Sequence, residues 1–183
     1  MKNTFKEKLL IFKVRHEKDQ DAYGELYDYY VAKIFRFVMF KVRLVEDAED
    51  ITSEVFLKVW QYIRTTDKKI KNLNALFYQI ARNAVIDYYR NKKRTEIQIS
   101  DQEQYQKIIE SRDLIKELDQ KIDTKNIEFY LEKIKDEYRE VLVLKYVEQY
   151  SVNEIAGILK KTKSNVRVLV HRALKSLRDV MGN

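Results

Sequence analysis

The sequence predicts an all-α fold of two small helical domains joined by a polar linker, and three features predict it. Turn-forming residues are scarce: the 183 residues include no proline and three glycines, Gly24, Gly157 and Gly182. A strand-rich fold needs a turn every few residues and commonly uses those two residue types, so their scarcity favours helices with short connections. Apolar residues recur at steps of three and four, the spacing of one helical face. That periodicity lapses between about residues 95 and 125, a polar and acidic stretch. The expected division is therefore 1–94 for a first domain, 95–125 for the linker and 126–183 for a second.

In the first domain, Leu26, Tyr29, Tyr30, Ile34, Phe37, Val38 and Val42 mark one helical face. Val55, Phe56, Val59, Trp60 and Ile63 repeat the spacing on a second helix, and Leu73, Leu76, Phe77, Ile80, Ala84 and Tyr88 on a third. Glu46, Asp47, Glu49 and Asp50 open the second helix, where negative charge favours the N-terminus. In the linker, Ile108, Ile109, Leu114, Ile115 and Leu118 allow one short helix. Beyond it, Phe129, Leu131, Ile134, Val141, Leu142, Leu144 and Tyr146 suggest two packed helices. Ser151-Val152-Asn153-Glu154 is a capping-box sequence opening a short helix to about Leu159. Thr162 then caps a longer helix through Val166, Leu169, Val170, Ala173, Leu174 and Leu177.

Composition excludes several classes. Cysteine is absent, so disulfides and thiolate metal sites are excluded. His16 and His171 are too few and too scattered for a histidine metal cluster. No apolar run approaches the roughly 20 residues that span a bilayer. Lys and Glu interrupt Leu9, Leu10 and Ile11 on both sides, which is not a signal-peptide pattern, so a cytoplasmic chain is expected. The formal net charge of +7 hints at nucleic acid, but its distribution is more informative.

The closing pair of helices reads as a helix-turn-helix, whose second helix lays its N-terminal turn in the major groove of DNA. Lys161, Thr162, Lys163, Ser164, Asn165, Arg167, Val168, His171 and Arg172 are the candidate contacts. Val166, Val170 and Leu174 form the stripe expected to face the core. Seven Lys or Arg and no Asp or Glu lie between Lys160 and Arg178. A solvated basic helix is the plainer alternative; caps, spacing, apolar stripe and one-signed charge together favour DNA. A second basic region, Arg82, Arg90, Lys92, Lys93 and Arg94, is interleaved with Phe77, Tyr78, Tyr88 and Tyr89. Aromatic faces can stack unpaired bases, although Phe77 and Tyr88 also fit the core stripe.

The whole pattern resembles the extracytoplasmic-function sigma factors of bacterial RNA polymerase, from about Leu9 to Leu177. Asp19-Gln20-Asp21-Ala22-Tyr23 resembles that family's opening of region 2, with Lys18 in place of its usual glycine. Asp47-Ala48-Glu49-Asp50-Ile51-Thr52-Ser53-Glu54-Val55-Phe56-Leu57-Lys58-Val59-Trp60 resembles region 2.2, the specific part of the match. The resemblance implies a helix that binds the polymerase β′ coiled coil, with Asp47, Asp50, Glu54, Phe56, Leu57 and Trp60 as contacts or their support. Phe56 and Trp60 are equally readable as core. Asn83-Ala84-Val85-Ile86-Asp87-Tyr88-Tyr89-Arg90 resembles region 2.4, which with the preceding loop reads and melts the −10 element. It implies Lys68, Lys69, Lys71, Asn72, Phe77, Arg82, Asn83, Arg90 and Arg94 as −10 contacts. Asp87 reads better as an i, i+3 partner of Arg90.

Glu154-Ile155-Ala156 and Val166…His171-Arg172-Ala173-Leu174 resemble region 4.2, which binds the −35 element. Two departures stand out there. Lys160 occupies the usual turn glycine, and Val168 and Leu169 replace a frequent Ser-Arg pair, which implies an altered −35 preference or weaker reliance on that element. As a whole, the resemblance implies a non-enzymatic initiation factor whose partners are RNA polymerase core (β′ and β), promoter DNA and an anti-sigma factor, with no cofactor, metal or membrane insertion. A one-component helix-turn-helix regulator is the alternative. The first half, however, shows neither a Gly-rich phosphate loop nor alternating strands and helices. An enzyme using Glu46, Asp47, Glu49 and Asp50 is disfavoured, because acids on one helical turn diverge whereas metal ligands must converge.

Overall fold

The structure, a computed structural model, describes residues 4–95 and 124–182. The expected linker helix lies outside those residues. Within them the chain forms two helical units and no strand.

In the first unit, α1 (Thr4–Phe12) runs on through a π turn to Glu17. It is followed by α2 (Gln20–Met39), α3 (Val45–Thr65) and α4 (Leu73–Thr95). The caps are local. Asp19 accepts from the Ala22 N–H at 3.0 Å to start α2, and Asn72 accepts from the Ala75 N–H at 2.9 Å to start α4. α3 carries Glu46 and Asp47 in its first turn. Leu26, Tyr30, Ile34 and Phe37 of α2 meet Val55, Val59 and Ile63 of α3 and Leu73, Phe77 and Ala81 of α4, all buried. Each large side chain so buried contributes about 1.5–3 kcal/mol. The Tyr30 ring stacks on Phe77 at 4.2 Å, and its hydroxyl donates to Asn74 Oδ1 at 2.7 Å, which satisfies the polar end of a buried ring.

The second unit comprises α5 (Thr124–Lys133), α6 (Asp136–Leu142) with a π turn to Val147, α7 (Val152–Leu159) and α8 (Lys163–Met181). The Ser151–Glu154 capping box is formed in both directions, and Thr162 accepts from the Asn165 N–H at 3.2 Å. Arg139 ties the unit together by donating to the Leu131 and Glu132 carbonyls.

The two units pack on each other. α7 lies along α4, where Gln79 Nε2 donates to the Gly157 carbonyl at 3.0 Å. Tyr150 meets Tyr78 edge-on at 5.4 Å, and Arg139 Nη1 donates to the Phe40 carbonyl at 3.0 Å. Sequence periodicity carried no sign of this interface, because its partners are 58 to 112 residues apart.

Both lysines that replace expected glycines have left-handed backbone: Lys18 at φ 54° and Lys160 at φ 53°. Each closes a helical segment, the Lys160 N–H bonding to the Ala156 carbonyl. A side chain in that conformation costs on the order of 1–2 kcal/mol, partly offset by glycine's greater unfolded-state entropy. Lys160→Gly and Lys18→Gly should each add about 0.5–1 kcal/mol, seen as a higher urea midpoint at unchanged slope. An unchanged or lowered midpoint would refute the strain.

Burial raises the pKa of Tyr30, Tyr78, Tyr23 and Tyr150, the last to about 12. Each keeps its proton to a higher pH folded than unfolded. The stability they contribute is complete below about pH 10 and is lost as pH rises through the folded values. Tyr150 alone should lose on the order of 1 kcal/mol by about pH 11. Denaturant titrations at neutral and alkaline pH check this; a flat profile to pH 11 would contradict it.

Candidate functional site

Three surfaces hold the residues singled out by sequence. The first is the outer face of α3. Asp47, Asp50, Glu54 and Leu57 recur at three- and four-residue steps and share one stripe. Asp50, Glu54 and Leu57 are exposed, Leu57 by 56%. Asp47 is half-buried and accepts from the Tyr88 hydroxyl at 2.5 Å, so α4 steadies it. Glu54 pairs with Lys58 at 2.5 Å in solvent. Trp60 is half-buried, its ring against Tyr23 at 4.7 Å and the Arg64 guanidinium at 5.3 Å. Phe56 does not belong to this surface. It is buried against Tyr27 and Phe77, and its carbonyl accepts from the Tyr23 hydroxyl, so its role is packing.

The second surface is α4 with the loop before it. Lys68, Lys69 and Lys71 are exposed on that loop. Arg15 fastens the loop, donating from Nε to the Ile63 carbonyl and from Nη2 to the Lys68 carbonyl, both at 3.2 Å. Asn72 caps α4 rather than facing outward alone. Asn83 and Arg90 are exposed on α4, and Arg90 pairs with Asp87 at 3.0 Å, as the i, i+3 spacing suggested. Phe77 is fully buried beneath Tyr30 and cannot reach a base without unpacking the core. Arg82 is half-buried, its Nε 2.6 Å from Glu140 in the second unit. The Arg94 side chain lies outside the described residues.

Around Arg82 the first unit offers three cations to three acids of the second. Lys41 Nζ sits 2.9 Å from Asp136 and 3.4 Å from Glu140, and Arg36 Nε 2.8 Å from Glu148. The side chains of Glu140 and Glu148 are each 2% exposed. Burial pushes the Glu140 carboxyl above its ordinary range, against the opposite pull of Lys41 and Arg82.

The third surface is the start of α8. Thr162, Lys163, Ser164, Asn165, Arg167, His171 and Arg172 are exposed, while Val166, Leu169 and Ala173 are buried against the helices below. Thr162 spends its hydroxyl on the cap, and Lys161 pairs with Glu137 at 3.0 Å. Of the two departures in this helix, Leu169 turns into the core, and Val168, 47% exposed, lies on the open face. Among the described residues no group of three or more His, Asp or Glu side chains is placed to hold a metal, and no helix is long and apolar enough to cross a membrane.

Comparison with known proteins accounts for both units. Residues 26–95 match Sigma-70 region 2, and residues 124–177 match Sigma-70, region 4. Two transcription factors of Bacillus subtilis (strain 168) are similar along most of the chain. The ECF RNA polymerase sigma factor SigW is 31% identical over 167 residues, 87% of this chain and 89% of that one. The ECF RNA polymerase sigma factor SigM is 29% identical over 164 residues, 84% and 91%. Among solved structures, CnrH in complex with the cytosolic domain of CnrY aligns at a TM-score of 0.69 and 18% identity, covering 97% of each chain. The sigma factor RpoE in complex with the anti-sigma factor NepR, from Bartonella quintana, aligns at 0.65 and 18% identity, covering 87% of this chain and 96% of that one. Both units are thus of the sigma-70 class. The chain belongs to the ECF RNA polymerase sigma factor family.

Proposed function

We propose that this chain binds RNA polymerase core through the outer face of α3 and directs promoter-specific initiation, working in the cytoplasm with no catalysis of its own. Asp47, Asp50, Glu54, Leu57 and the edge of Trp60 meet the polymerase. The loop of Lys68, Lys69 and Lys71, with Asn83, Arg82 and Arg90 on α4, engages the −10 element. Lys163, Ser164, Asn165, Arg167, Val168, His171 and Arg172 on α8 engage the −35 element. The observation that carries this reading is a similarity to an ECF sigma factor that runs through both units, combined with an acidic, leucine-bearing face on α3 and a recognition helix whose charged side chains are all basic up to Arg178. A one-component regulator has no use for the first, since its first domain would sense a signal. An anti-sigma factor is a further proposed partner, supported by a fold shared with RpoE, solved with its anti-sigma factor.

Run-off transcription with core polymerase, with and without the protein, tests the reading. Promoter-dependent transcripts should appear only when both are present. Selection from a random promoter library supplies the template. Equal transcription with core alone would overturn the proposal.

A further inference from the structure

Val168 and Leu169 do not weigh equally once α8 is folded. Leu169 is buried, so it acts on the core and not on DNA. Val168 is 47% exposed, so the difference at the DNA face rests on that residue. Its direction is fixed by the buried stripe. Val166 and Ala173 are fully buried. An α-helix turns about 100° per residue, so Val168 lies about 200° round from Val166, on the side away from the core. One turn to either side stand Ser164, Asn165, His171 and Arg172, all exposed. A β-branched apolar side chain thus sits in the middle of a polar, basic face.

The fold gives no account of it. Valine is a weaker helix former than alanine, leucine or lysine, and Val168 leaves nearly half of its surface in solvent. The major groove of DNA gives one. Guanine, adenine and cytosine present hydrogen-bonding groups there, and only thymine adds an apolar group, its 5-methyl. The valine side chain neither donates nor accepts. Set against the amino group of cytosine or the acceptors of guanine, it displaces water and leaves those groups unpaired, which is costly. Set against a methyl group, it buries apolar surface on both partners.

We propose that Val168 reads the 5-methyl group of one thymine in the −35 element and so specifies that base; the contact rests on the sigma factor reading above and names what its −35 surface selects. Ser164 and Arg172, one turn on either side, are left for phosphates and polar base edges. The consequence is an altered −35 preference and not a weaker reliance on that element.

The test uses holoenzyme assembled from core polymerase and the full chain, on the promoter recovered from the random library. Each thymine of the −35 element, on either strand, is replaced in turn by uracil. That change removes the methyl group and leaves every hydrogen-bonding group in place. Competition binding measures closed-complex affinity. At one position uracil should weaken binding about three- to fivefold, the value of one buried methyl group. Holoenzyme carrying Val168→Ser should bind the thymine and uracil forms equally at that position. Its helical signal should match that of the unaltered chain, because residue 168 lies outside the core. A −35 element without thymine, or one in which no uracil changes binding, would overturn the proposal. So would a methyl effect that persists undiminished in Val168→Ser, since another side chain would then be reading the methyl. A different result, no promoter-dependent transcript from the unaltered protein and core, would sink the sigma factor reading itself.

Discussion

A chain carrying Asp50→Lys and Glu54→Lys should lose stable association with RNA polymerase core while keeping its fold. Both side chains are exposed on the outer face of α3, away from the buried row of Ile51, Val55, Val59 and Ile63. The pair that Glu54 makes with Lys58 is solvent-exposed on both sides, and such pairs contribute about 0–1 kcal/mol. The cost to folding is therefore small. At an interface the same charges count for more, because they meet a partner in a partly dehydrated setting. Removing one member of a close interfacial charge pair costs about 2–5 kcal/mol, and reversal adds repulsion. Two reversals should weaken core binding by at least about a hundredfold, since each 1.4 kcal/mol is tenfold. Fluorescence anisotropy with labelled protein and purified core measures the loss, and circular dichroism checks the fold. A Leu57→Ala variant should show a smaller defect of the same kind, whereas Phe56→Ala should lower stability, because that ring packs inside. Core affinity that survives both reversals would move the polymerase interface off α3.

Phe56 and Phe77 show where sequence reasoning stopped. Aromatic residues at i and i+4 on an amphipathic helix have the same spacing whether they stack on one another in the core or on a partner outside it. Only the third dimension separates them, and here Tyr30 lies on Phe77 and Tyr27 beside Phe56. The caps of α7 and α8 were legible because their chemistry is local: Ser151 with Glu154 and Thr162 with Asn165 are each three residues apart. The strained turns were half legible. Lys18 and Lys160 stood out against an expected glycine, whereas the left-handed Gln149, at φ 56°, had no such signal. Arg82 gave no sign in the sequence of the partner it has in the structure. Its charge and helix pointed to phosphate, and the structure gives it a carboxylate 58 residues further along the chain. A pairing of that range leaves no periodic trace, so the interface between the units was invisible while each unit's interior was not.

The two DNA-reading surfaces should fail at different steps when each is damaged alone. Arg167 is exposed one turn into α8, beside Lys163 and Ser164, and the core of that helix is held by Val166, Leu169 and Ala173. Arg167→Ala therefore removes a long cationic side chain without opening a cavity. A lost base contact costs about 1–3 kcal/mol, and a lost phosphate contact weakens binding whatever the sequence. The defect should fall on closed-complex formation and on discrimination among −35 sequences. Asn83 is exposed on α4, between the buried Ala81 and Ala84 and clear of the ion pairs that engage Arg82. Its amide can hydrogen-bond a base edge or the backbone of a melted strand. Unstacking a base costs a few kcal/mol, so losing a group that holds the extruded strand should slow opening rather than binding. Permanganate footprinting separates the two: on duplex promoter both variants should show weakened reactivity at the −10 element. On a template with a pre-melted −10 bubble, Asn83→Ala should recover most of its activity, whereas Arg167→Ala should still fail to discriminate −35 sequences. Identical behaviour of the two variants on both templates would mean that the surfaces act as one. Loss of helical signal in either variant would make that residue part of the scaffold instead.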